Sequence, residues 1–390
     1  MTAVADRVTG RPAYSALPVE VHCHGFGDVD FSDFGSLDLL RLNDACAQEA
    51  VLSLPTLYLH RDRLGEFEAF VRRYADLRRD GLLPHVAGIA LEGPLLASHG
   101  GTPAATVWAP THREWERLAS LGEHGLVYSV LSPDIFSPAS ELADALRTER
   151  LDFPWIIETL LGHGVRPALG HFTRADPVRS AQQVTELVDI AWQAEWNGTG
   201  TRVLTDHLFN DMPLNIRHAF RTTAARRDRE ALIASYDLPS WTLENATESV
   251  GPVPAAIMRE AAAGRIAACI NFDGEHVDLA IAARAVELMG PANTMLMTDR
   301  CDSARLGGQA LHQTGENGLW YQDGGIVAAG SQPLARQIVN ARSQQLSDAD
   351  VWQLVAGTAH RTFGLEIVDD PGHSGTVTAM GRPLRADAAG

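Results

Sequence analysis

The sequence predicts an α/β protein built on a (β/α)8 barrel. Eight short apolar runs have the length of buried strands, and most are followed by a stretch of helical periodicity. Polar residues suited to chemistry follow most of these runs. That placement is expected in a barrel, because the C-terminal ends of its strands form a single mouth that carries the site.

The predicted strands and helices alternate along most of the chain. The strands are Val19–Cys23, Val51–Leu57, Val86–Leu91, Leu126–Leu131, Val165–Leu169, Arg202–Leu204, Ile266–Phe272 and Thr294–Met297. The helices include Leu37–Ala50, Leu64–Leu77, Glu141–Leu161, Ala181–Trp196, Leu279–Leu288, Gln332–Asn340 and Ala349–Gly357. This order suits a parallel barrel, in which each strand needs a crossover to return to the same end of the sheet.

A doubly wound open sheet is the alternative fold. It usually carries a glycine-rich phosphate turn after an early strand, and Gly25-Phe26-Gly27 lacks the third glycine of that turn. The barrel is therefore the favoured prediction.

The barrel is expected to span residues 19–365, between an N-terminal segment, 1–18, and a short C-terminal β segment and tail, 366–390. Two β-like pieces near the end, Glu366–Val368 and Gly375–Ala379, have no evident pairing partner. An insertion over 217–250 separates the sixth and seventh strands, and its length favours a lid or an interface. The insertion contains Arg217, Arg221, Arg226, Arg227 and Arg229.

Charge and composition narrow the class of partner. A formal net charge of −17 and a pI near 5.3 argue against nucleic acid or an anionic membrane, since both attract a basic face. The first residues lack the pattern of a secretory signal, and no apolar run is long enough to span a bilayer. Four cysteines lack the spacing of disulfide pairs. We expect a cytoplasmic protein that acts on a small molecule.

Histidines and carboxylates follow six of the predicted strands. They are His22 and His24 at the first strand, Glu92 at the third, His171 at the fifth, Asp206 and His207 at the sixth, Asp273 and His276 at the seventh, and Asp299 at the eighth. Imidazoles and carboxylates converging on one mouth form a ligand set for a divalent transition metal.

Each of these features has an ordinary structural explanation when taken alone. A His-x-His pair on a strand is often incidental, Leu-Glu-Gly-Pro is often a turn, and an aspartate such as Asp299 can cap a helix. His171 alone could be a hydrogen-bonded loop residue. The metal interpretation depends on the joint pattern, because unrelated accidents would not all fall at the same end of successive strands.

The metal interpretation predicts hydrolysis. A zinc-like ion lowers the pKa of bound water from about 15.7 to roughly 7 and so provides hydroxide at neutral pH. Asp299 is placed to orient that water as general base and then to protonate a leaving amine. His276 is the candidate for polarising the substrate carbonyl.

The ordered motifs resemble those of the N-acetylglucosamine-6-phosphate deacetylases of the amidohydrolase superfamily. The resemblance runs from about Val19 to Leu365 and includes I-V-A-A-G-S at Ile326–Ser331. The motifs are V-H-C-H-G, G-I-A-L-E-G-P, V-L-S-P-D, L-G-H-F, H-L-F-N-D-M-P, D-G-E-H and M-T-D. H-L-F-N-x-M is the most specific of them.

The resemblance implies an amidohydrolase-type barrel with a metal held by Glu92, His171 and His207. His22 and His24 match a pair that completes a second metal position in some members. Zinc is the first choice of ion, with iron, manganese or cobalt as alternatives. The resemblance also implies the catalytic roles of Asp299 and His276 and a homodimer.

Substrate contacts are also implied by the resemblance. Asn210 and Asp211 would lie along the sugar or its phosphate, and Arg217 loosely matches the phosphate-binding arginine of the family.

Several departures from the family pattern concern substrate recognition. Ala90 stands where members usually carry histidine, and Gly100-Gly101-Thr102-Pro103 replaces a Gly-Ala-His that touches the substrate. The 217–250 insertion and the scarcity of N-terminal strands are further departures.

The sequence therefore favours a divergent enzyme that removes an N-acyl group, preferably acetyl, from an amino sugar or related small molecule. One alternative is N-acetylglucosamine-6-phosphate deacetylase proper. A second alternative, from a different class, is a catalytically inactive barrel with a binding or regulatory role.

Overall fold

Eight parallel strands form the centre of the computed structural model, which describes residues 4–5, 12–13, 17–27, 29–31, 33–217, 219, 222–368 and 376–378. The strands are β1 Val19–Cys23, β2 Leu52–Leu57, β3 Ile89–Leu91, β4 Leu126–Leu131, β5 Arg166–Leu169, β6 Val203–Thr205, β7 Ile266–Asn271 and β8 Thr294–Met297. Each strand pairs in parallel with the next strand along the chain. The predicted (β/α)8 barrel is confirmed.

The barrel is closed by backbone contacts just beyond the end of β8. Asp299 N donates to His22 O at 3.1 Å, and His24 N donates to Arg300 O at 2.7 Å. Cys23 and Arg300 form the corresponding parallel bridge. The first and last strands therefore meet at the residues predicted to hold a metal.

Helices surround the strands and share one continuous apolar cluster with them. They are α1 Leu39–Glu49, α2 Leu64–Arg79, α3 His112–Ser120, α4 Ala143–Glu149, α5 Phe153–Gly162, α6 Pro177–Gln193, α7 Thr223–Ala234, α8 Ala246–Val250, α9 Pro252–Ala262, α10 Leu279–Met289, α11 Leu334–Ser343, α12 Asp348–Trp352 and α13 Thr358–Phe363. In the described part of the chain, none of them combines the length and apolar character needed to cross a membrane.

The helix predicted over Glu141–Leu161 is wrong as a single element, because the structure divides it into α4 and α5. Arg150 ends α4 in a left-handed conformation, with φ 57°. Asp152 then caps α5 by accepting from Trp155 N, and proline stands in the first turn of α5. A proline has no amide hydrogen to bond to the preceding turn, so it favours the start of a new helix over the continuation of α4.

The terminal β pieces form small hairpins. Glu366–Val368 pairs antiparallel with Thr376–Thr378, so the first piece does have a partner, contrary to expectation. Gly375 and Ala379, the ends of the second predicted piece, lie outside the described residues. Val4–Ala5 pairs with Pro12–Ala13.

The segment after β8 contains two hairpins that the sequence patterns did not indicate. They pair Arg305–Leu306 with Gln309–Ala310, and Trp320–Tyr321 with Val327–Ala329. The second hairpin brings residues 326–328 to the mouth of the barrel.

Arg166 of β5 fastens the barrel to the last helix. Its Nε donates to Thr201 O at 2.9 Å, and its Nη2 donates to the carbonyl oxygens of Thr199 and Thr362. The guanidinium also lies over the rings of Trp196 and Phe363. Burial lowers the pKa of Arg166 to about 9, because removal from water disfavours the charged guanidinium.

We predict that Arg166→Met lowers the free energy of unfolding by about 3 kcal/mol, because buried carbonyl oxygens lose their donor. Urea denaturation measures the change. Arg147→Met is the control: Arg147 is exposed and pairs with Asp144 one turn away, so its loss should cost less than about 0.5 kcal/mol. Equal midpoints for the two variants would contradict this account of Arg166.

Candidate active site

The strand ends bring the predicted histidines and carboxylates together at one mouth of the barrel. His22, His24, Glu92, His171, Asp206, His207, His276 and Asp299 are all buried. All of them except His276 fall into two groups in which ligand atoms lie close enough to hold a metal ion: Glu92, His171, Asp206 and His207, and His22, His24 and Asp299.

The first group is centred on two carboxylates. His171 Nε2 lies 2.8 Å from Glu92 Oε1 and 3.1 Å from Asp206 Oδ2. His207 Nε2 also lies 3.1 Å from Asp206 Oδ2. Three strands, β3, β5 and β6, therefore supply one compact cluster of donors.

The second group lies at the closure of the barrel. His22 Nε2 and His24 Nε2 are 3.2 Å apart, and His24 Nε2 lies 3.3 Å from Asp299 Oδ1. Residues i and i+2 of a strand face the same side, which explains why both imidazoles point into the mouth.

Glu92 connects the two groups. Its Oε1 lies beside His171, while its Oε2 lies 3.1 Å from His24 Nε2 and 3.5 Å from His22 Nε2. One carboxylate is thus shared by the two clusters.

The charges of the two groups are mutually dependent. Burial lowers the pKa of His24, but the close Asp299 and Glu92 carboxylates outweigh it and hold that pKa well above its usual value. Burial raises the pKa of Asp299, but His24, His207, His276 and His22 reduce it to about 2. These anionic donors would attract a cation, and a bound cation would displace the protons.

The buried polar atoms fit a metal centre. Glu92 Oε2, both carboxylate oxygens of Asp206, Asp299 Oδ1 and His171 Nε2 have no partner of hydrogen-bond geometry. Unsatisfied buried acceptors are costly, and coordination of an ion would remove that cost. Imidazole and carboxylate donors suit zinc and related divalent ions.

Backbone strain is concentrated at this mouth. Among the described residues other than glycine, seven have positive φ, and four of them are His171 (56°), Phe209 (74°), Asp211 (38°) and Asp299 (51°). Such conformations cost L-residues roughly 1–2 kcal/mol each and tend to occur at functional sites.

A carboxylate orients His276. Asp273 Oδ2 lies 2.6 Å from His276 Nδ1, and Asp273 Oδ1 accepts from the backbone N of Glu275 and His276. His276 Nε2 lies 3.6 Å from Asp299 Oδ2. The two residues predicted to be catalytic are therefore adjacent.

The 217–250 insertion supports the loop that carries His276. Arg229 of α7 is buried and donates to the carbonyl oxygens of Gly274 and Glu275. The Glu275 carboxylate in turn accepts from Gly318 N at 3.0 Å. In the sequence, Arg229 is one of several clustered arginines, and nothing in the pattern distinguishes it as the buried one.

A cleft of about 130 Å³ opens onto the two groups. Asn210, Asp211 and His276 lie on its walls, as does Arg174, which the sequence patterns did not single out. Ile326, Val327 and Ala328 form an apolar side of the cleft.

The arginines of the insertion that the structure describes do not line this cleft. Arg217 lies elsewhere, with Nη1 3.9 Å from Asp228 Oδ2, and Arg226 pairs with Glu230. Arg221 lies outside the described residues.

Asp206 joins the ligand group although the resemblance assigned it no role. Its position directly before His207 at a strand end was the available signal. Asp206 Oδ1 also lies 3.0 Å from His22 Nδ1, so this carboxylate contacts members of both groups.

No family model and no curated protein matches the chain. Solved structures do match it. An N-acetyl-D-glucosamine-6-phosphate deacetylase mutant from Mycobacterium smegmatis, in complex with N-acetyl-D-glucosamine-6-phosphate, is 20% identical with a TM-score of 0.58, covering 95% of this chain and 80% of its own.

Two further N-acetylglucosamine-6-phosphate deacetylases are similar. The Pasteurella multocida structure is 16% identical with a TM-score of 0.62, covering 90% of this chain and 76% of its own. The Thermotoga maritima structure is 14% identical with a TM-score of 0.58, covering 93% and 82% respectively. The chain therefore has the fold of these deacetylases, as the resemblance of its motifs implies.

Proposed function

We propose that the protein is a metal-dependent amidohydrolase that removes an N-acyl group, preferably acetyl, from an amino sugar or related small molecule. The observation that carries the proposal is the pair of buried histidine–carboxylate groups that share Glu92. They face a cleft that also contains Asp299 and His276.

Glu92, His171 and His207, with Asp206 beside them, would hold one divalent ion. His22, His24 and Asp299 would hold a second. Zinc is the ion we propose, because imidazole and carboxylate donors suit it. When bound, such an ion acts as a Lewis acid and makes water a stronger nucleophile at neutral pH.

Asp299 is the proposed general base and acid. Its pKa of about 2 keeps it ionised at neutral pH, so it can accept a proton from the attacking water and then deliver it to the leaving amine. The left-handed backbone at Asp299 and the hydrogen bond from its amide to His22 O fix the position of the carboxylate.

His276 is the proposed group that polarises the scissile carbonyl. Asp273 holds its Nδ1, which directs Nε2 towards Asp299. Burial lowers the pKa of His276, but the Asp273 and Asp299 carboxylates outweigh it and raise that pKa, so the protonated ring can also donate from Nε2. A donor fixed in advance stabilises the charge that develops on the carbonyl oxygen without reorganising during the reaction.

The small cleft and its apolar side at residues 326–328 support a short acyl group. Asn210, Asp211 and Arg174 offer polar contacts for the rest of the substrate. The Arg217 of the sequence prediction lies outside this cleft, so Arg174 is the better candidate for an anionic substituent.

The second candidate function is deacetylation of N-acetylglucosamine 6-phosphate itself. The complex of the M. smegmatis enzyme with that compound favours it. A test compares turnover of N-acetylglucosamine 6-phosphate, N-acetylglucosamine and N-acetyl amino acids by release of acetate. A preference for unphosphorylated compounds supports the first proposal, whereas turnover of the phosphate alone supports the second. A lack of turnover on the whole panel by metal-loaded protein would favour the inactive barrel.

We predict that Asp299→Asn lowers kcat by about 10³-fold, because the amide cannot accept the proton. Steady-state kinetics on the best substrate of the panel measures the effect. Asp144→Asn, at an exposed position of α4, is the control and should leave kcat unchanged. Undiminished turnover by Asp299→Asn would remove Asp299 from the mechanism.

We predict that the wild-type protein binds two equivalents of zinc and that His24→Ala binds one fewer, because the first group contains neither His22 nor His24. Mass spectrometry of native protein counts the ions. Equal stoichiometry in the two proteins would show that this pair does not hold a metal.

Removal of the ions should lower stability. A ligand that binds only the folded protein and is present at 100 times its dissociation constant adds about 2.7 kcal/mol. We therefore expect chelation to lower the melting temperature and added zinc to restore it. A melting temperature unaffected by chelator, in protein shown to have lost its metal, would contradict binding linked to folding.

A further inference from the structure

Asp211 contacts His171 from the side away from the ligand groups. Asp211 Oδ2 lies 2.9 Å from His171 Nδ1, while His171 Nε2 faces Glu92 and Asp206. We propose that Asp211 is a positioning residue that fixes the ring orientation and tautomer of His171 for metal binding. We also propose that the absence of a side chain at Gly100 leaves the space that the Asp211 carboxylate occupies. This inference rests on the proposed function.

The chemistry of imidazole makes this contact consequential. A neutral histidine has one nitrogen that donates and one that accepts, and the partner of the first nitrogen decides which is which. The 2.9 Å contact has the distance of an ion pair and not the angles of a hydrogen bond, and a carboxylate this close to Nδ1 favours a proton there and leaves the lone pair of Nε2 for an ion. Carboxylates that hold metal-binding histidines in this way raise the basicity of the ligand.

The backbone reinforces the same contact. Phe172 N donates to Asp211 O at 3.0 Å, and Ser132 Oγ donates to His171 O at 2.7 Å. His171 and Asp211 both have left-handed conformations. The loops after β5 and β6 are therefore joined by the side-chain contact between His171 and Asp211 and by the main-chain hydrogen bond from the adjacent Phe172.

Arg174 supports the charge of Asp211 from the cleft. Its Nη2 lies 3.5 Å from Asp211 Oδ1, so the two oxygens of the carboxylate have separate partners.

Gly100 provides the space for this carboxylate. A Cβ atom at Gly100 would lie 2.1 Å from Asp211 Oδ2, far inside van der Waals contact. At the neighbouring Gly101, a Cβ atom would lie 2.4 Å from Val327 O. The Gly-Gly pair thus lets the loop after β3 pass between Asp211 and the hairpin that lines the cleft.

The experiment measures zinc affinity directly, by competition with a chromophoric chelator, in protein that has not been given substrate. Asp211→Asn keeps the size of the side chain and tolerates the left-handed backbone, but it loses the charge. We expect this variant and Asp211→Ala to bind the ion held by His171 about 10- to 100-fold more weakly.

Gly100→Ala tests the same contact from the opposite side. Its Cβ should displace the carboxylate and weaken zinc binding to a similar degree. Gly81→Ala is the matched control, because Gly81 also has positive φ (77° against 53°) but has no atom within 4 Å of an added Cβ. That control should lose some stability and retain its zinc affinity.

A double variant distinguishes a shared cause from two separate ones. Asp211→Ala with Gly100→Ala should bind zinc no more weakly than Asp211→Ala alone, because the second change has no carboxylate left to displace. Additive losses would overturn the assignment of Gly100.

Two outcomes separate the failure of this inference from that of the proposed function. Wild-type protein that binds no zinc would overturn both. Wild-type protein that binds zinc, with unchanged affinity in the Asp211 variants, would overturn the inference alone. A raised KM with unchanged zinc affinity would instead make Asp211 a substrate contact.

Discussion

The closure of the barrel between β1 and the residues after β8 is the constraint on which the rest of the structure depends. Two backbone hydrogen bonds, from Asp299 N to His22 O and from His24 N to Arg300 O, join opposite ends of the barrel sequence. They place His22 and His24 beside Asp299. The candidate catalytic residue and one candidate metal group therefore exist only in the closed barrel, whereas the other group is built from neighbouring strands.

Much of this arrangement was predictable from the sequence. Buried strands are apolar throughout, so they are recognisable in the sequence as short apolar runs. The C-terminal ends of parallel barrel strands lie at one mouth, irrespective of the conformation of the loops. His171 and His207 could thus be placed together without knowing any distance. The break between α4 and α5 was also encoded, in Asp152 and the proline that follows Phe153, but helical periodicity concealed it.

The less predictable parts depend on contacts between segments distant in sequence. Arg229 lies in an insertion whose other arginines are mostly exposed, and only the fold shows that it supports the loop of His276. Asp211 and Gly100 are likewise 111 positions apart in the sequence, and only the fold shows that they lie side by side. Two of the departures from the family pattern thus have a structural role in this chain. The Gly-Gly segment leaves room for Asp211, and the insertion supports the loop that carries His276.

The shared position of Glu92 has a thermodynamic consequence. Its two oxygens face different groups, so an ion bound at one group would orient and polarise the carboxylate that the other group needs. Binding at the two positions is then linked, and the linkage is reciprocal: whatever factor the first ion applies to the affinity for the second, the second applies to the first. Through this carboxylate, the loss of an ion from one position would change the affinity of the other position by that same factor.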